Sequence, residues 1–166
     1  MTPFEVRANN VVTAIEASRW RVNEFGYEDD QASEAVSAVF ASYVTWLVAC
    51  EEARAIERLK KERVSFRRDI VEALPEADLI HWDTYIQPVP KSSLRQRMAA
   101  IWGLRVAFTH SDGTLSKIAD QRNKELAADA PRHLDGLIEK DGKLDASQLS
   151  LHLVTRSFVH LRDILV

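Results

Sequence analysis

Arg105 and His110 are the two residues whose types and spacing could do chemistry together. A histidine side chain exchanges protons near neutral pH, and an arginine guanidinium can hold a phosphate through two hydrogen bonds. Together they are the minimal equipment for cleaving a phosphodiester bond without a metal. An arginine and a histidine at this spacing also occur by chance. A structural arginine, with a histidine favoured by the dipole at a helix C-terminus, is therefore the open alternative.

The helix predicted to carry this pair begins at Ser92 or Ser93, continues to His110 or slightly beyond, and ends at Gly113. Arg105 falls in the middle of its apolar arc, which contains Leu94, Met98, Ile101 and Phe108. A cation on a buried face is costly unless it finds a partner. We therefore expect Arg105 to pair with a carboxylate, reach a cleft or face a second subunit.

His110 lies about 140° further around the same helix, so the two side chains do not share a face. They converge only if the helix unwinds near residues 111–113, or if a symmetric partner places a second copy opposite. The predicted binding residues surround the pair: Trp102, Thr109, Ser111 and Asp112. Trp102 is expected either to pack in the core or to stack against a base or a guanidinium.

The whole chain, residues 1–166, is predicted to be one all-α domain, a compact bundle of about five helices. The first helix is capped by Thr2 and runs to about Glu24, with a stripe of Phe4, Ala8, Val11, Ile15 and Val22. A second region opens at Asp29 or Asp30 and continues towards Pro75, with a bend or break and a Glu57–Lys61 pair. It contains the apolar positions Val36, Phe40, Tyr43, Leu47, Ile56, Leu59, Phe66 and Ile70.

Later segments are shorter. Residues 75–90 are predicted to be a connection, and helix is expected again from about Thr114 to Asp129. Asp141-Gly142 is a hairpin signal, so a small β-hairpin is expected before the last helix. That helix is predicted to start at Asp145 or Ser147 and to bury Leu149, Leu153 and Leu161.

The net charge of −3 gives no global attraction to nucleic acid, but the cations are clustered. Residues 58–68 hold six cations and one acid, and residues 91–105 hold four cations and no acid. These clusters are either solvated helix faces or local surfaces for a phosphate backbone. The single cysteine, Cys50, is expected to be a buried structural thiol, and the chain to be cytoplasmic. No apolar run is expected to span a membrane, because the best candidate, residues 36–50, is too short.

Metal and cofactor sites are not expected. Asp78, His81 and Asp83 lack a matching second cluster, and no metal, P-loop or hydrolase motif is present. His152, Arg156 and His160 lie one turn apart on the last helix, where they form either a solvated face or the basic lining of a cleft.

The stretch from Leu104 to Gly113 resembles the signature of HEPN domains, in which an arginine is followed after four to six residues by a histidine. A glycine often follows soon afterwards, as Gly113 does. The order of helices agrees, and the turn at Asp141-Gly142 before the last helix is similar to the RiboL-PSP-HEPN-like branch. The resemblance covers most of the chain in architecture and about ten residues in sequence.

This resemblance implies a homodimer with two motifs facing each other across a cleft, and often a metal-independent endoribonuclease acting as a toxin or antiviral effector. His110 would transfer protons, Arg105 would stabilise the phosphate, and the RNA 2′-hydroxyl would attack. In active members a polar residue often follows the arginine, whereas this chain has Val106. Thr109 and Ser111 are candidates to replace that polar group in part.

Three hypotheses follow. The first is a dimeric HEPN ribonuclease, with an antitoxin or other protein partner. The second is a non-catalytic HEPN protein that binds RNA or a partner protein through the same cleft. The third is a helical scaffold in which Arg105 is paired inside the core.

Overall fold

The computed structural model describes residues 2–24, 29–76 and 92–165. In chain order its elements are α1 (Pro3–Glu24), α2 (Asp29–Leu59), a π-helical turn (Phe66–Val71), α3 (Leu94–Ser111), a 3-10 turn (Leu115–Lys117), α4 (Gln121–Asp129), a 3-10 turn (Ala130–Arg132), β1 (Ile138–Lys140), β2 (Lys143–Asp145) and α5 (Leu151–Ile164). The all-α bundle with a small hairpin is confirmed. Most of the predicted connection, with Asp78, His81 and Asp83, lies outside the described residues.

The predicted start of α1 is confirmed. The Thr2 hydroxyl accepts a hydrogen bond from the backbone N–H of Glu5 at 3.2 Å, and the Glu5 carboxylate accepts one from the Thr2 N–H at 2.6 Å. This reciprocal pair satisfies two donors that the helix itself leaves free. Phe4 and Ala8 of the predicted stripe are buried, but the next fully buried position is Val12, whereas Val11 and Ile15 are only partly buried.

The predicted break after the second helix lies between Leu59 and Phe66. Lys60 takes a left-handed conformation (φ 52°), and the chain then enters the π-helical turn. The predicted Glu57–Lys61 pair is wrong, because Lys61 lies beyond the helix end and instead contacts Asp69 at 3.1 Å. Buried positions of α2 include Phe40 and Leu47 and continue to Ala55, whereas the predicted apolar positions Ile56 and Leu59 are exposed.

The central helix of the bundle is α3, which contacts every other α-helix except α1 in the main packing interfaces. Its closest neighbour is α4. A Cβ atom added at Gly103 would lie 2.6 Å from the backbone nitrogen of Ala127, so only glycine lets the two helices approach this far.

Two predicted helix starts are wrong. The segment after Gly113 does not continue as an α-helix, because the Leu115 N–H donates to Gly142 in the hairpin turn at 2.9 Å. The α-helix begins only at Gln121, capped by Asp120. The last helix begins at Leu151, capped by Ser150, because Asp145 is paired with Ile138 in the hairpin.

The core contains the positions expected on the last helix, Leu149, Leu153 and Leu161, all buried. Among the described residues, one segment of α2, Ser33–Leu59, is long and apolar enough to cross a membrane, with a mean hydropathy of 1.4. The expectation that no segment reaches that length was therefore too strict. Of this segment, 44% is buried inside the fold, and the core helix of a globular protein passes the same test.

Candidate functional site

The helix that carries the predicted site is fixed at both ends. At its start, Ser93 and Gln96 form a reciprocal capping box, with the Ser93 hydroxyl accepting from the Gln96 N–H at 3.1 Å. At its end, Asp112 (φ 50°) and Gly113 (φ 80°) are both left-handed, and the Gly113 N–H donates to Ala107 at 2.8 Å. Between them α3 is continuous through Ser111. Thr109 and His110 therefore lie in the last regular turn of α3, just before its C-terminal cap.

Arg105 lies at the edge of the buried surface of α3. It is half-buried, whereas Met98 and Ile101 are fully buried, so its predicted place in the middle of the buried arc is wrong. The reason is that α3 is covered on several sides, which rotates the centre of the buried surface towards Leu104 and Ala107. The Arg105 guanidinium lies over the Trp102 ring, 4.9 Å from its centroid.

Arg105 makes no ion pair with a carboxylate among the described residues. Its Nε atom is buried and lacks a hydrogen-bond partner there. A guanidinium stacked on an indole keeps its planar fork oriented, and the attraction of the cation to the ring is worth roughly 0.5–1 kcal/mol at an exposed site. Within this part of the chain, the group is held in place but its charge is not neutralised.

Trp102 connects Arg105 to the basic stretch that follows α2. The Trp102 ring stacks on Phe66, with 6.2 Å between centroids, and its Nε1 donates to the Asn123 side-chain oxygen at 2.9 Å. Arg67 donates to that same oxygen at 3.2 Å. One arginine from each cation-rich stretch, Arg67 from residues 58–68 and Arg105 from residues 91–105, is therefore linked to Trp102. Both alternatives expected for Trp102 hold, because its ring packs against the core and also supports the Arg105 guanidinium.

Thr109 is exposed and completes this surface, since it follows Arg105 by one helical turn. We call the four residues Arg67, Trp102, Arg105 and Thr109 the arginine–tryptophan surface. Arg67 also lies 3.8 Å from Asp120, which offsets part of its charge. Arg67 and Asn123 were not identified from the sequence. The signal available for Arg67 was the cation-rich stretch, but nothing in that stretch indicates which of its six cations packs beside α3.

His110 is exposed and lies on a different face of α3 from Arg105. Because the helix does not unwind before Asp112, the two side chains remain about 140° apart and separated by about 7.5 Å along the axis. Of the two routes by which the side chains could converge, unwinding of the helix therefore does not occur within the chain. Only the other route, a His110 from a second copy, could place the two groups on one phosphate.

Val106 and Ser111 both point into the fold. Val106 is 5% exposed, on the side of α3 where Gly103 meets α4. Ser111 is 4% exposed, and its hydroxyl has no hydrogen-bond partner among the described residues. Neither residue lies where it could orient a phosphate bound to Arg105. Ser111, a predicted binding residue, is therefore buried away from Arg105, and Thr109 is the polar group left on the surface.

Asp112 belongs to a separate cavity of about 210 Å³ between α3, α2 and the hairpin. Its carboxylate lies 3.6 Å from the Lys143 ammonium, which also contacts Glu34 at 3.1 Å. The hydrogen bond that the Lys143 ammonium donates to the Glu34 carboxylate raises the pKa of Lys143. Because the two carboxylates already neutralise this cation, the cavity offers little attraction to an anion, and Asp112 is not part of the arginine–tryptophan surface.

Among the side chains that the structure describes, the most deeply buried cation is Arg97, 1% exposed, which the sequence did not single out. It contributes to lowering the pKa of His160 on α5, after the larger effect of burial. The predicted common face of α5 is therefore divided: His152 and Arg156 are exposed, whereas His160 is half-buried. Arg156 lies 4.0 Å from Glu5. These residues form no basic cleft lining.

The remaining titratable candidates are structural. His133 joins Ser92, at 2.6 Å, to Asp129, at 2.9 Å, and so ties the start of α3 to α4. Cys50 is only partly buried, but burial raises the pKa of its thiol, which favours the unreactive protonated form. Across residues 2–24, 29–76 and 92–165 there is no group of three or more His, Cys, Asp or Glu that could hold a metal ion.

Searches with this chain against family models, curated proteins and solved structures return no match. Its site must therefore be interpreted from its own residues.

Proposed function

We propose that this chain binds single-stranded RNA through the arginine–tryptophan surface, as a HEPN-type protein. The observation that carries the proposal is the state of Arg105: a half-buried guanidinium, oriented by Trp102, with no carboxylate partner among the described residues. A half-buried cation without a partner is costly, and an RNA phosphate is the anion its planar fork fits best.

The surroundings of Arg105 support a nucleic-acid ligand over a small anion. Arg67 adds a second guanidinium beside Trp102, and the exposed Thr109 adds a hydroxyl. Cations spaced along a surface follow a phosphate backbone, and single strands are commonly bound by arginine planes that also stack on bases. The HEPN resemblance favours RNA over DNA.

Fluorescence anisotropy with labelled single-stranded RNA tests this proposal. Arg105→Ala is expected to weaken binding about tenfold and to reduce the salt dependence of the dissociation constant. Arg132→Ala is the matched control, because Arg132 is an exposed arginine outside the arginine–tryptophan surface that pairs with Asp129. Equal affinity of the wild type and Arg105→Ala for RNA, or tighter binding to DNA of the same sequence, contradicts the proposal.

Metal-independent RNA cleavage is the second candidate function, and the exposure of His110 favours it. In that reaction His110 of one copy takes the proton of the RNA 2′-hydroxyl, and the freed oxygen attacks the adjacent phosphorus. The bond to the 5′-oxygen breaks as that oxygen takes the proton back from the protonated His110, leaving a 2′,3′-cyclic phosphate and a 5′-hydroxyl. Arg105 of the other copy stabilises the charge on the phosphate. A cytoplasmic toxin or antiviral role, with a neutralising protein partner, belongs to this candidate.

Cleavage is tested by incubating RNA with the purified chain in EDTA. If the second candidate is correct, the wild type and His152→Ala cut equally and His110→Ala does not cut. His152 is the control because it is an exposed histidine on α5. Intact RNA after incubation with the wild type, together with retained binding, leaves the chain a non-catalytic RNA-binding protein.

A further inference from the structure

The outer face of α2 carries a continuous uncharged stripe with no neighbour in the described fold. We call it the α2 seam; its six residues are Val39, Ser42, Trp46, Ala49, Ala53 and Ile56. All are exposed, including the large side chains of Val39 (46%), Trp46 (37%) and Ile56 (37%). Exposed apolar residues are ordinary when they are scattered, but these lie on one face over about 26 Å.

The spacing of the seam is that of a coiled coil. Its residues alternate at three and four positions, which is the repeat that keeps one apolar face turned towards a partner helix. The residues of α2 that pack into the core, including Phe40 and Leu47, lie on the opposite side of the helix. The seam is therefore a second apolar face, in addition to the one that the fold itself requires.

The seam fits an antiparallel copy of itself. When a second α2 is laid antiparallel about a two-fold axis between residues 47 and 48, Trp46 meets the partner's Ala49. In the same register Val39 meets the partner's Ile56, and Ser42 meets the partner's Ala53. The bulkiest side chain thus falls opposite a methyl group, and the small residues let the helices approach closely. A two-fold contact requires a self-complementary surface of this kind.

Charge favours the antiparallel arrangement over the parallel one. Around the start of α2 the chain carries the acids Asp29, Asp30 and Glu34 and no cation. Around its end four cations outnumber two acids: Arg58, Lys60, Lys61 and Arg63 against Glu57 and Glu62. Antiparallel pairing sets each acidic end beside a basic end, whereas parallel pairing sets like charges together.

We infer that two copies of this chain associate through the α2 seam, with their α2 helices antiparallel. Because α3 packs against the core side of α2, both α2 helices separate the two arginine–tryptophan surfaces in this dimer. The pair then presents two independent RNA-binding surfaces, which increases affinity for a strand long enough to reach both. It does not assemble an Arg105–His110 site across its axis, so cleavage would require a different interface.

Sedimentation equilibrium of the full chain tests the inference. The wild type is expected at twice the monomer mass, and Trp46→Glu is expected to weaken association at least about thirtyfold, as removing a central aromatic contact does. Trp20→Glu is the matched control, because Trp20 is a 63% exposed tryptophan on α1, outside the seam. Equal masses for the wild type and Trp46→Glu, whether monomer or dimer, overturn the inference.

Thiol cross-linking tests the direction of the pair, in a Cys50→Ala background so that no native thiol interferes. The double variant Val39→Cys/Ile56→Cys is expected to give a covalent dimer with a short cross-linker, and the single variant Val39→Cys is not. A covalent dimer from the single variant indicates a parallel pair and overturns the antiparallel inference.

A lipid surface is the alternative partner that could cover the α2 seam, and binding to lipid vesicles tests it. The wild type is expected to stay with the soluble fraction in a flotation experiment with phosphatidylcholine vesicles. Flotation of the wild type that Trp46→Glu abolishes would mean that lipid, not a second copy, covers the seam. Both proposals can fail separately, because Trp46→Glu leaves the arginine–tryptophan surface intact and Arg105→Ala leaves the seam intact.

Discussion

Small residues lie on one face of α3 and on one face of α2, but only the first face is covered. On α3, Gly103 brings the backbone of α4 so close that an added Cβ would lie 2.6 Å from Leu126 and Ala127. On α2, Ala49 and Ala53 occupy the equivalent kind of position, and both are exposed. A small residue on a helix face permits close approach of a neighbour. In α3 that neighbour is in the same chain.

The helix α3 both carries the candidate site and stabilises the bundle, because its two sides have different roles. The covered side of α3 holds Gly103, Val106 and part of Trp102, and it fixes the position of α4. Trp102 then links this packed side to Arg105 on the accessible side. The α2 seam has no such anchoring role within the described chain, so substitutions there should change association and leave folding unchanged.

The largest expected effect on stability comes from placing a leucine on the covered face of α3, compared with a leucine on the uncovered α2 seam. Gly103→Leu is expected to cost about 3 kcal/mol or more of unfolding free energy, because the new atoms meet backbone that cannot rotate away. Ala53→Leu is expected to change stability by less than about 0.5 kcal/mol. Urea unfolding at low protein concentration measures both. Similar losses for the two variants would remove the distinction between the covered and uncovered faces.

Val106→Asn tests whether the residue after the motif arginine belongs to the covered face. Placing an amide at a 5% exposed position is expected to cost about 2 kcal/mol, because its polar atoms lose water and find no partner. Val106→Ala should cost less, since it only removes buried apolar surface. Thermal unfolding of both variants provides the measurement. A stable Val106→Asn variant that gains RNA cleavage would place this side chain at the site after all.

Trp102→Phe removes one hydrogen bond from the covered face while keeping an aromatic ring under Arg105. The Asn123 oxygen loses its 2.9 Å bond and keeps the one from Arg67, so the expected cost is about 1 kcal/mol. Affinity for RNA should fall by less than for Arg105→Ala, because the guanidinium remains. If Trp102→Phe reduces RNA affinity more than Arg105→Ala does, the ring itself contacts the ligand.

Ala49→Gln has the smallest expected effect on folding, under about 0.5 kcal/mol, because the position is exposed. Its effect belongs to association, since a longer polar side chain would lie where the partner's Trp46 packs. Sedimentation equilibrium should show weaker self-association with an unchanged circular dichroism spectrum. Unchanged association would mean that Trp46 and Ala49 do not meet, which contradicts the proposed register.

The sequence predicted the helix boundaries that are set by local chemistry and misplaced those that are set by contacts with distant parts of the chain. The sequence predicts Thr2 as one cap and Ser92 or Ser93 as another, because a cap requires only a hydroxyl and the next turn of backbone, and Thr2 and Ser93 fill these positions. The start of α4 was misplaced because Leu115 bonds the hairpin turn at Gly142. Periodicity within a segment contains no information about a bond to a residue so far along the chain.

The candidate site divides in the same way. The sequence alone determined that Arg105 and His110 lie on different faces of one helix, because residue spacing fixes their angle once the helix forms. It also determined that Arg105 lies beside Trp102. The structure decided that Arg105 lies at the edge of the buried surface, that Arg67 shares Asn123 with Trp102, and that Val106 faces inward. Those outcomes depend on which helices pack around α3, and side-chain burial is set by neighbours that are distant in the sequence.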